Sequence, residues 1–491
     1  MKTMKKLLAL LLAFAMVLSL AACQAPVDPT EAATDAPKAT DAPTAAEGST
    51  DAPTEAEEKE WFGTEDGKPV TLRLWAGVQP EYGYAELVDN FNEQYKDKGV
   101  QVEFTRYVND TNGNLQLDTY LMGGGEIDVV VGYGSRLNNR VESGYFLDMS
   151  DYIKSYDWNM TEAIGAAAAA EYVTEDGCYG FPTITSNNFW LMVNVDMFEK
   201  AGVEVPYDGW TYEQFLDACE KLSYGEGQDR VYGIYWNLKS MSRVTTICGS
   251  ALGSLRMYAN YDGTEVAYGN KVWVDGLTML NECVTNDYCI PLEDEVSEGY
   301  SVANTFLAGK CAMTVDPAQI RLVMDSATYP HDFVTALVPG PVPGDEYMTD
   351  EYKYHTSIVG PSDIISIAAD TPYPEAAFEF VHWYTTGGMA PLIKGGRLPL
   401  YTGFDTEEVV AMVVNAANGL VDERSLTTYL TVDRSEAGTI LGNLWAYDEL
   451  GDMFVEETHA MCYGKQTVEQ TVQNLVTRGN ELIANAMKAA Q

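Results

Sequence analysis

Residues 179–222 decide the fold, and they read YGFPTITSNNFWLMVNVDMFEKAGVEVPYDGWTYEQFLDACEKL. Pro182 removes a backbone donor and biases Phe181 away from the helical region, so the stretch begins extended and predicts a crossing between two packed units. The aromatic and apolar residues 189–193 favour a strand. Thr211 begins a Thr-x-x-Gln sequence, which has the spacing of a capping box and predicts the start of an amphipathic helix. This order of crossing, strand and helix indicates an α/β domain.

The order of these pieces resembles the central signature of the extracellular solute-binding proteins of the maltose-binding type, which serve ABC importers. That family carries a Gly-hydrophobic-Pro segment, a strand ending in Asn, an Asp-x-Phe-x-x-Ala-Gly stretch and a Trp-Thr helix start. A further family element, Phe-x-x-Gly-Lys-x-Ala-Met, resembles FLAGKCAM at residues 306–313. The earlier elements are found here at 180–182, Asn194, 196–202 and Trp210 with Thr211. The resemblance covers the chain from about Val70 to its end.

The N-terminus has the pattern of a bacterial lipoprotein signal peptide. Residues 1–22 carry three lysines followed by an apolar run, 7–20, that is short for a membrane span of roughly 20 residues. The ending Leu-Ala-Ala-Cys at 20–23 resembles the lipobox, which implies cleavage before Cys23 and lipid attachment there. The predicted location is therefore the extracellular face of the cell membrane, and the alternative is an ordinary secreted protein cut near Cys23.

Residues 23–60 are an acidic segment of low complexity. Ala, Pro, Thr, Asp and Glu dominate it, and Thr-Asp-Ala-Pro recurs at Thr34, Thr40 and Thr50. This composition buries too little apolar surface to offset chain entropy, so we predict a disordered tether. Acidic residues continue through the chain, and a formal net charge of -43 excludes nucleic acid as a partner.

Two lobes are expected from the length and from the element pattern. A chain of 491 residues exceeds what one core usually organises. Residues 70–131 alternate strand and helix patterns, which predicts a parallel sheet covered by helices. The resemblance implies a two-lobed, periplasmic-binding-protein-like (type II) fold with three hinge crossings, the second at 314–317 and the third at 360–367. The expected boundaries are 61–183 and 314–364 for lobe 1, and 184–313 and 365–491 for lobe 2.

Two classes of function fit the sequence, a glycan hydrolase and a binding protein. A hydrolase needs two carboxyl groups flanking the scissile bond, and the candidate pairs are Asp128 with Glu81 or Asp316. Such pairs carry little weight among 73 acidic residues, and Asp128 occupies a position where the family carries a structural hydrogen-bonding residue. The chain contains no Gly-x-Ser-x-Gly elbow, His-Glu-x-x-His motif or Walker loop. We therefore predict no catalysis, no cofactor and no metal.

A carbohydrate site should combine aromatic rings with polar side chains, because sugar C–H faces pack on rings and hydroxyls form hydrogen bonds. Ligands of parallel sheets collect at the carboxyl ends of the strands, which selects the loops 76–83 and 132–139. The resemblance adds positions near the crossings, after a strand of the second lobe and in a late helix. The predicted contacts are Gln79, Glu81, Tyr82, Tyr133, Ser135, Arg136, Asn187, Trp236, Asp316, Gln319, Arg397 and Trp445.

Several of these positions have an alternative interpretation. Asn187 fits a ligand contact or the hinge, and Arg397 fits the cleft or an ion pair with a surface acid. Trp236 and Trp445 fit the core as well as the cleft. Beyond Cys23, seven cysteines remain, and several are expected to be small buried apolar residues.

The sequence thus predicts a lipid-anchored, monomeric substrate-binding subunit of an ABC importer. It is expected to capture a carbohydrate, most simply an oligosaccharide, by hinge closure and to deliver it to permease subunits in the membrane. Peptides, polyamines and other polar solutes remain alternative ligands, because the fold family is broader than sugars.

Overall fold

The computed structural model describes residues 61–78, 82–108, 111–124, 126–132, 136–185, 189–249, 251–252, 257–260, 262–349, 363–432 and 445–489. Strands and helices alternate from the start of this part. In chain order the first elements are β1 (Val70–Ala76), α1 (Tyr84–Tyr95), β2 (Val100–Arg106), α2 (Thr111–Gly123), β3 (Val129–Gly132), α3 (Leu137–Glu142), α4 (Ser150–Ser155), α5 (Met160–Ile164), α6 (Ala166–Tyr172) and β4 (Phe181–Pro182).

The middle of the chain continues with shorter strands separated by helices. Its elements are β5 (Trp190–Asn194), α7 (Val195–Ala201), α8 (Tyr212–Leu222), β6 (Tyr232–Tyr235), α9 (Ser242–Cys248), α10 (Lys271–Thr285), α11 (Leu292–Glu298), β7 (Cys311–Thr314), α12 (Ile320–Met324) and β8 (Thr335–Pro339). The last strand and helices are β9 (Ile364–Ile367), α13 (Pro374–Trp383), α14 (Ala390–Lys394), α15 (Thr406–Ala416), α16 (Glu423–Thr431), α17 (Tyr447–Cys462) and α18 (Val468–Ala489).

The strands form two sheets within one compact unit. The first sheet has the order β2-β1-β3-β9-β4, in which β1 runs parallel to β2 and β3 while β9 runs antiparallel to β3 and β4. The second sheet has the order β6-β7-β5-β8. The parallel sheet predicted from residues 70–131 is confirmed by the pairing of β1, β2 and β3.

The strand and the capped helix predicted from residues 179–222 are also present. Residues 190–194 are β5, and Pro182 lies in β4 at the edge of the first sheet, where a missing backbone donor is tolerated. The capping box of α8 is complete. The Thr211 hydroxyl accepts from the Gln214 backbone N–H at 3.3 Å, and the Gln214 side-chain carbonyl accepts from the Thr211 N–H at 2.8 Å.

Strand pairing corrects the expected lobe boundaries. Residues 314–364 were assigned to the first lobe, but β8 lies within them and pairs along its length with β5 in the second sheet. Residues 365–491 were assigned to the second lobe, but α13 packs on the first-sheet side, where the Phe380 ring lies 5.0 Å from that of Phe91 in α1. Local sequence predicts that a segment is a strand or helix, whereas its partner depends on surfaces that are distant in the chain.

A large hydrophobic core fills the space around both sheets, and a smaller cluster around Trp75 and Tyr120 lies on the other face of the first sheet. Trp75 is buried, and its ring lies 4.9 Å from that of Tyr120. Trp383 packs on Phe91 and donates through Nε1 to Gln94 at 2.7 Å. No helix in the described ranges is long and apolar enough to cross a membrane.

Candidate functional site

Three segments carry the chain between the two sheets, and they lie side by side. The first joins β4 to β5, the second joins β8 to β9, and the third follows α14. Thr183 in the first segment donates its backbone N–H to the Asp363 carbonyl in the second at 3.1 Å. Its own carbonyl accepts from Leu400 in the third at 2.9 Å, and Thr185 donates to Leu398 at 2.8 Å. These bonds make the three crossings one continuous junction.

The positions of two crossings differ from those expected. Residues 314–317 do not cross, because the end of β7 runs directly into the 3₁₀ helix Pro317–Gln319 and α12, and the chain next forms β8 in the second sheet. The segment expected as the third crossing, 360–367, ends in β9 and is the second crossing. The third lies at about residues 395–405, after α14.

A buried ion pair joins the second and third crossings. Arg397 Nη1 lies 3.1 Å from Asp363 Oδ2, with only 13% and 8% of the two side chains exposed. Asp363 also has a positive φ of 60°, which is uncommon for a residue other than glycine. Within the described chain, Asp363 Oδ2 and Arg397 Nε have no hydrogen-bond partner. Arg397 therefore pairs with an acid, as one interpretation of the sequence allowed, but the acid is buried in the junction rather than on the surface.

Arg321 in α12 lies against this junction. Its Nη2 donates to the Gln319 side-chain carbonyl at 2.9 Å. Burial lowers the pKa of Arg321, and the positive charge of Arg397 lowers it further. The third crossing passes so close that a Cβ on Gly396 would lie 2.7 Å from the Arg321 Cα. Gly396 is therefore required where the crossing and α12 meet.

The polar contacts continue from Arg321 toward α9. Gln319 Nε2 donates to Asp316 Oδ2 at 3.1 Å, and Arg243 Nη2 donates to Asp316 Oδ1 at 3.2 Å. The Arg243 and Asp316 side chains are 21% and 22% exposed, so solvent and solutes can reach them. We call Arg243, Asp316, Gln319, Arg321, Asp363 and Arg397 the junction cluster.

Tyr82 links the first-sheet side to the end of α12. Its hydroxyl donates to Asp325 Oδ2 at 2.7 Å. This hydrogen bond, together with burial, raises the pKa of Tyr82 to about 12. A Cβ on Gly395 would lie 2.7 Å from the Tyr82 carbonyl oxygen, so the third crossing touches this loop as well. Tyr82 therefore marks where the two halves of the molecule meet.

The structure brings four of the predicted contacts to this region: Tyr82, Asp316, Gln319 and Arg397. The prediction for Trp236 is wrong, because the ring is fully buried and packs on Phe215 at 5.8 Å in the second-sheet core. Trp445 is half-buried and precedes α17 rather than lying in a helix, and its carbonyl accepts from the Tyr258 hydroxyl at 3.0 Å.

The remaining predicted positions are not part of the junction cluster. Arg136 is half-buried at the N-terminus of α3. The positions outside the described residues are Gln79, Glu81, Tyr133, Ser135, Asn187 and the lipidation residue Cys23.

Sequence reasoning missed Arg243, Arg321, Asp325 and Asp363. A usable signal existed for two of them, because Asp363 lies in the segment expected as the third crossing and Arg321 follows Gln319 by two residues. A charged residue within or beside a short crossing has little room to reach solvent. Arg243 carried no such signal, because its position beside Asp316 is a tertiary contact.

Asp128, the main carboxylate of the hydrolase alternative, has a structural role. It is fully buried and accepts from Arg73 through the backbone N–H, Nε and Nη2, at 2.7, 2.8 and 3.1 Å. The Thr371 hydroxyl donates to its other side at 2.7 Å. The expectation of a structural hydrogen-bonding residue is confirmed, and these contacts occupy the oxygens that a hydrolase would need free.

Metal ligands and reactive thiols are not gathered into a second site in the described ranges. There, no group of three or more His, Cys, Asp or Glu side chains could hold a metal ion. All seven described cysteines are free thiols and six of them are buried. Burial raises the pKa of Cys178 and Cys462 to about 12, so these act as apolar side chains near neutral pH.

A surface groove of about 640 Å³ runs between α14 and α15. Its lining is Lys394, Glu408, Ala411, Met412, Asn415 and Ala416. These side chains include no aromatic ring and none of the predicted contacts. We assign the candidate site to the junction cluster instead.

Solved structures of similar fold come from several bacteria. An ABC substrate-binding protein of Listeria monocytogenes in complex with cycloalternan has a TM-score of 0.64 and 19% identity over 85% of this chain and 100% of that one. A sugar transporter of Rhizobium etli in an open conformation has a TM-score of 0.63 and 18% identity over 84% and 99%. The sugar-binding protein MalE of Xanthomonas citri has a TM-score of 0.59 and 16% identity over 86% and 99%. This similarity confirms the periplasmic-binding-protein-like α/β fold.

The family itself follows from the sequence profile. No curated protein matches the chain in a sequence comparison. The profile of the bacterial extracellular solute-binding proteins matches residues 86–417, which is more than half of the chain. The chain therefore belongs to the bacterial extracellular solute-binding protein family.

Proposed function

We propose that this protein is the substrate-binding subunit of an ABC importer and captures an extracellular carbohydrate, an oligosaccharide, between two lobes. The lobes are the parts built on the first and the second sheet. The observation that carries the proposal is the junction itself, where three crossings and a cluster of polar side chains meet. The carbohydrate is supported by the proteins of similar fold, one of which is in complex with cycloalternan.

Closure of the lobes is the mechanism that this arrangement supports. Adjacent crossings let two packed halves rotate while each sheet keeps its internal contacts. Contacts from both halves, such as Tyr82 from the first and Asp316 from the second, can act together on a ligand only in the closed form. Binding then shifts the population toward closure, and permease subunits would recognise the closed form.

The side chains offered to the ligand are those around the junction. Asp316 and Gln319 are partly exposed and supply a carboxylate and an amide for sugar hydroxyls. Tyr82 supplies a ring and a hydroxyl, and the half-buried Trp445 supplies a second ring for stacking. Gln79, Glu81, Tyr133, Ser135, Arg136 and Asn187 remain predicted contacts.

The proposal also covers the location of the protein and its monomeric state. Residues 1–22 are cleaved as a signal peptide, Cys23 carries the lipid, and 23–60 tether a monomeric binding unit to the membrane. Changing Cys23 to Ala should move the protein from the membrane fraction to the soluble extracellular fraction. Retention of the variant in washed membranes would contradict the lipid anchor.

A glycan hydrolase is the alternative from another class, and Asp128 argues against it because its oxygens are occupied by Arg73 and Thr371. The two can be separated by incubating the protein with oligosaccharides and analysing the products. We expect every oligosaccharide to be recovered intact, and appearance of shorter products would replace the binding function with catalysis.

Calorimetric titration of the full-length protein with a panel of oligosaccharides, peptides and polyamines tests the ligand class. We expect saturable binding of an oligosaccharide. Asp316→Asn should weaken it about tenfold, close to the effect of losing one charge-assisted hydrogen bond. Asp66→Asn, at an exposed loop carboxylate, is the matched control and should leave the affinity unchanged. Binding of peptides or polyamines alone would reject the carbohydrate.

A further inference from the structure

Arg321 is a largely buried cation without a carboxylate partner in the described chain. Its Nη2 donates a hydrogen bond to the neutral amide oxygen of Gln319. Several other arginines with little exposure reach an acid: Arg140 pairs with Asp118, Arg243 with Asp316 and Arg397 with Asp363. In a protein with 73 acidic and 30 basic residues, an acid would be easy to supply, so the lack of an ion pair for Arg321 within the described residues needs a cause.

The surroundings of Arg321 make the lack of an ion pair in the described chain unfavourable for the folded protein without a ligand. Removal of a guanidinium from water is unfavourable unless an opposite charge replaces the lost hydration. Burial and the neighbouring charge of Arg397 both lower the pKa of Arg321, whereas the charges of Asp316 and Asp363 raise it by less. The two acids whose charges act on Arg321 are paired with other arginines, Asp363 with Arg397 and Asp316 with Arg243.

The position of Arg321 makes it available to a ligand. It lies at the lobe junction, between the Gly396 crossing and the exposed edge of Asp316, and part of its side chain reaches solvent. A guanidinium presents a planar fork of N–H donors that matches a carboxylate through two parallel hydrogen bonds. The buried Arg397 Nε beside it also has unused donor capacity in the described chain.

We propose that the captured oligosaccharide is acidic and that Arg321 binds the carboxylate of a uronic acid unit. This inference rests on the proposed carbohydrate-binding function and names the class of sugar within it. The protein as a whole repels anions, since its net charge is -43. That repulsion is screened beyond about 8 Å at physiological salt, so a local cation can hold an anionic sugar once it is in the cleft.

The experiment compares sugars that differ only in charge. The full-length protein is titrated calorimetrically with trigalacturonate, with neutral galactotriose and with galactotriose carrying sulfate groups. We expect trigalacturonate to bind at least tenfold more tightly than galactotriose, and its affinity to fall as NaCl is raised. Preference for the sulfated sugar over the uronate would reject the carboxylate, and equal or tighter binding of galactotriose would reject an acidic ligand altogether.

Arg321→Met removes the charge and keeps most of the side-chain volume. We expect this variant to lose the preference for trigalacturonate over galactotriose. Arg424→Met, at an exposed surface pair with Asp208, is the matched control and should preserve the preference. An unchanged preference in Arg321→Met would reject the role of Arg321. Far-ultraviolet circular dichroism and urea unfolding establish that the variant is folded.

The outcomes separate this inference from the function on which it rests. If the protein binds galactotriose or other neutral oligosaccharides but neither trigalacturonate nor any other acidic one, the inference is overturned. The carbohydrate-binding function then stays in place. Binding of no carbohydrate would overturn both. Competition by acetate or inorganic sulfate at equal concentration would show that a free anion suffices, and would reject the sugar as the recognised unit.

Discussion

Two buried arginine–carboxylate pairs in this protein differ in how completely their hydrogen bonds are made. Asp128, in the first sheet, accepts three hydrogen bonds from Arg73 and one from Thr371. Asp363, at the lobe junction, lies within ion-pair distance of Arg397, yet Asp363 Oδ2 and Arg397 Nε find no hydrogen-bond partner in the described chain. A saturated pair fixes a structure, whereas an unsaturated one retains capacity for another partner or another conformation.

The location of each pair explains the difference. Asp128 donates its backbone N–H to the Arg73 carbonyl and accepts from Ala368, so its pair lies inside one sheet that need not rearrange. The Asp363–Arg397 pair joins two crossings, and the proposed lobe closure rotates the molecule at that point.

The largest effect is expected from Asp128→Asn. The change removes the charge of the fully buried Asp128 and leaves Arg73, which is 31% exposed, without its charge partner. Breaking such a pair costs about 3 kcal/mol of unfolding free energy. Urea denaturation followed by circular dichroism measures the loss. Asp66→Asn, at an exposed carboxylate, is the control and should not change the midpoint. An equal loss in Asp363→Asn would remove the distinction between the two pairs.

Gly396→Ala should be the next most damaging change. Gly396 has φ of 83°, and the added Cβ would lie 2.7 Å from the Arg321 Cα, so strain and overlap together should cost about 2 kcal/mol. Gly419→Ala is a close control, because Gly419 has the same φ with nothing within 4 Å of the added Cβ. It should cost about 1 kcal/mol from backbone strain alone. Similar urea midpoints for the two variants would show that α12 does not press on the crossing.

Glu295 extends the comparison to a buried carboxylate with no arginine. It is 2% exposed and accepts from the Lys239 backbone N–H at 3.0 Å, and burial raises its pKa to about 7. The folded state therefore holds this proton more tightly than the unfolded chain does. Its contribution to stability is complete below the ordinary glutamate pKa and is lost as pH rises toward 7.

Glu295→Gln tests that pH dependence. Between pH 4.5 and 7.5 the unfolding free energy of the parent protein should fall by on the order of 2 kcal/mol more than that of the variant. Urea denaturation across that range measures both. Glu171, whose pKa burial also raises to about 7, stays in both proteins and cancels in the difference. If the stability of the variant falls with pH as steeply as that of the parent, a group other than Glu295 causes the pH dependence.

The smallest effect on stability is expected from Arg321→Met. Replacing a buried unpaired charge by an apolar side chain should leave the unfolding free energy unchanged or raise it by about 1 kcal/mol. Arg73→Met is the contrasting variant and should lose about 3 kcal/mol, because it leaves Asp128 buried and unpaired. A marked destabilisation by Arg321→Met would make Arg321 structural and would weaken its assignment to a ligand.

Part of the candidate site could be read from the sequence. Tyr82, Asp316, Gln319 and Arg397 were expected near a cleft and do lie around the junction, because each follows a strand, helix or crossing whose type is set by nearby residues. Trp236 was misplaced for a related reason. Its position after β6 was correct, but the direction of its ring depends on α8 packing over the strand, where Phe215 receives it.

The amino-acid sequence by itself determined the local elements: the Thr211 capping box, the β5 strand and the parallel order of β1, β2 and β3. Those signals act over a few residues through hydrogen bonds and side-chain periodicity. Only the tertiary structure decided that β8 joins the second sheet and that Arg321 lies beside Arg397 with no ion pair of its own among the described residues. These facts depend on surfaces far apart in the chain, and their free energy comes from burial that exists only after the two halves have packed.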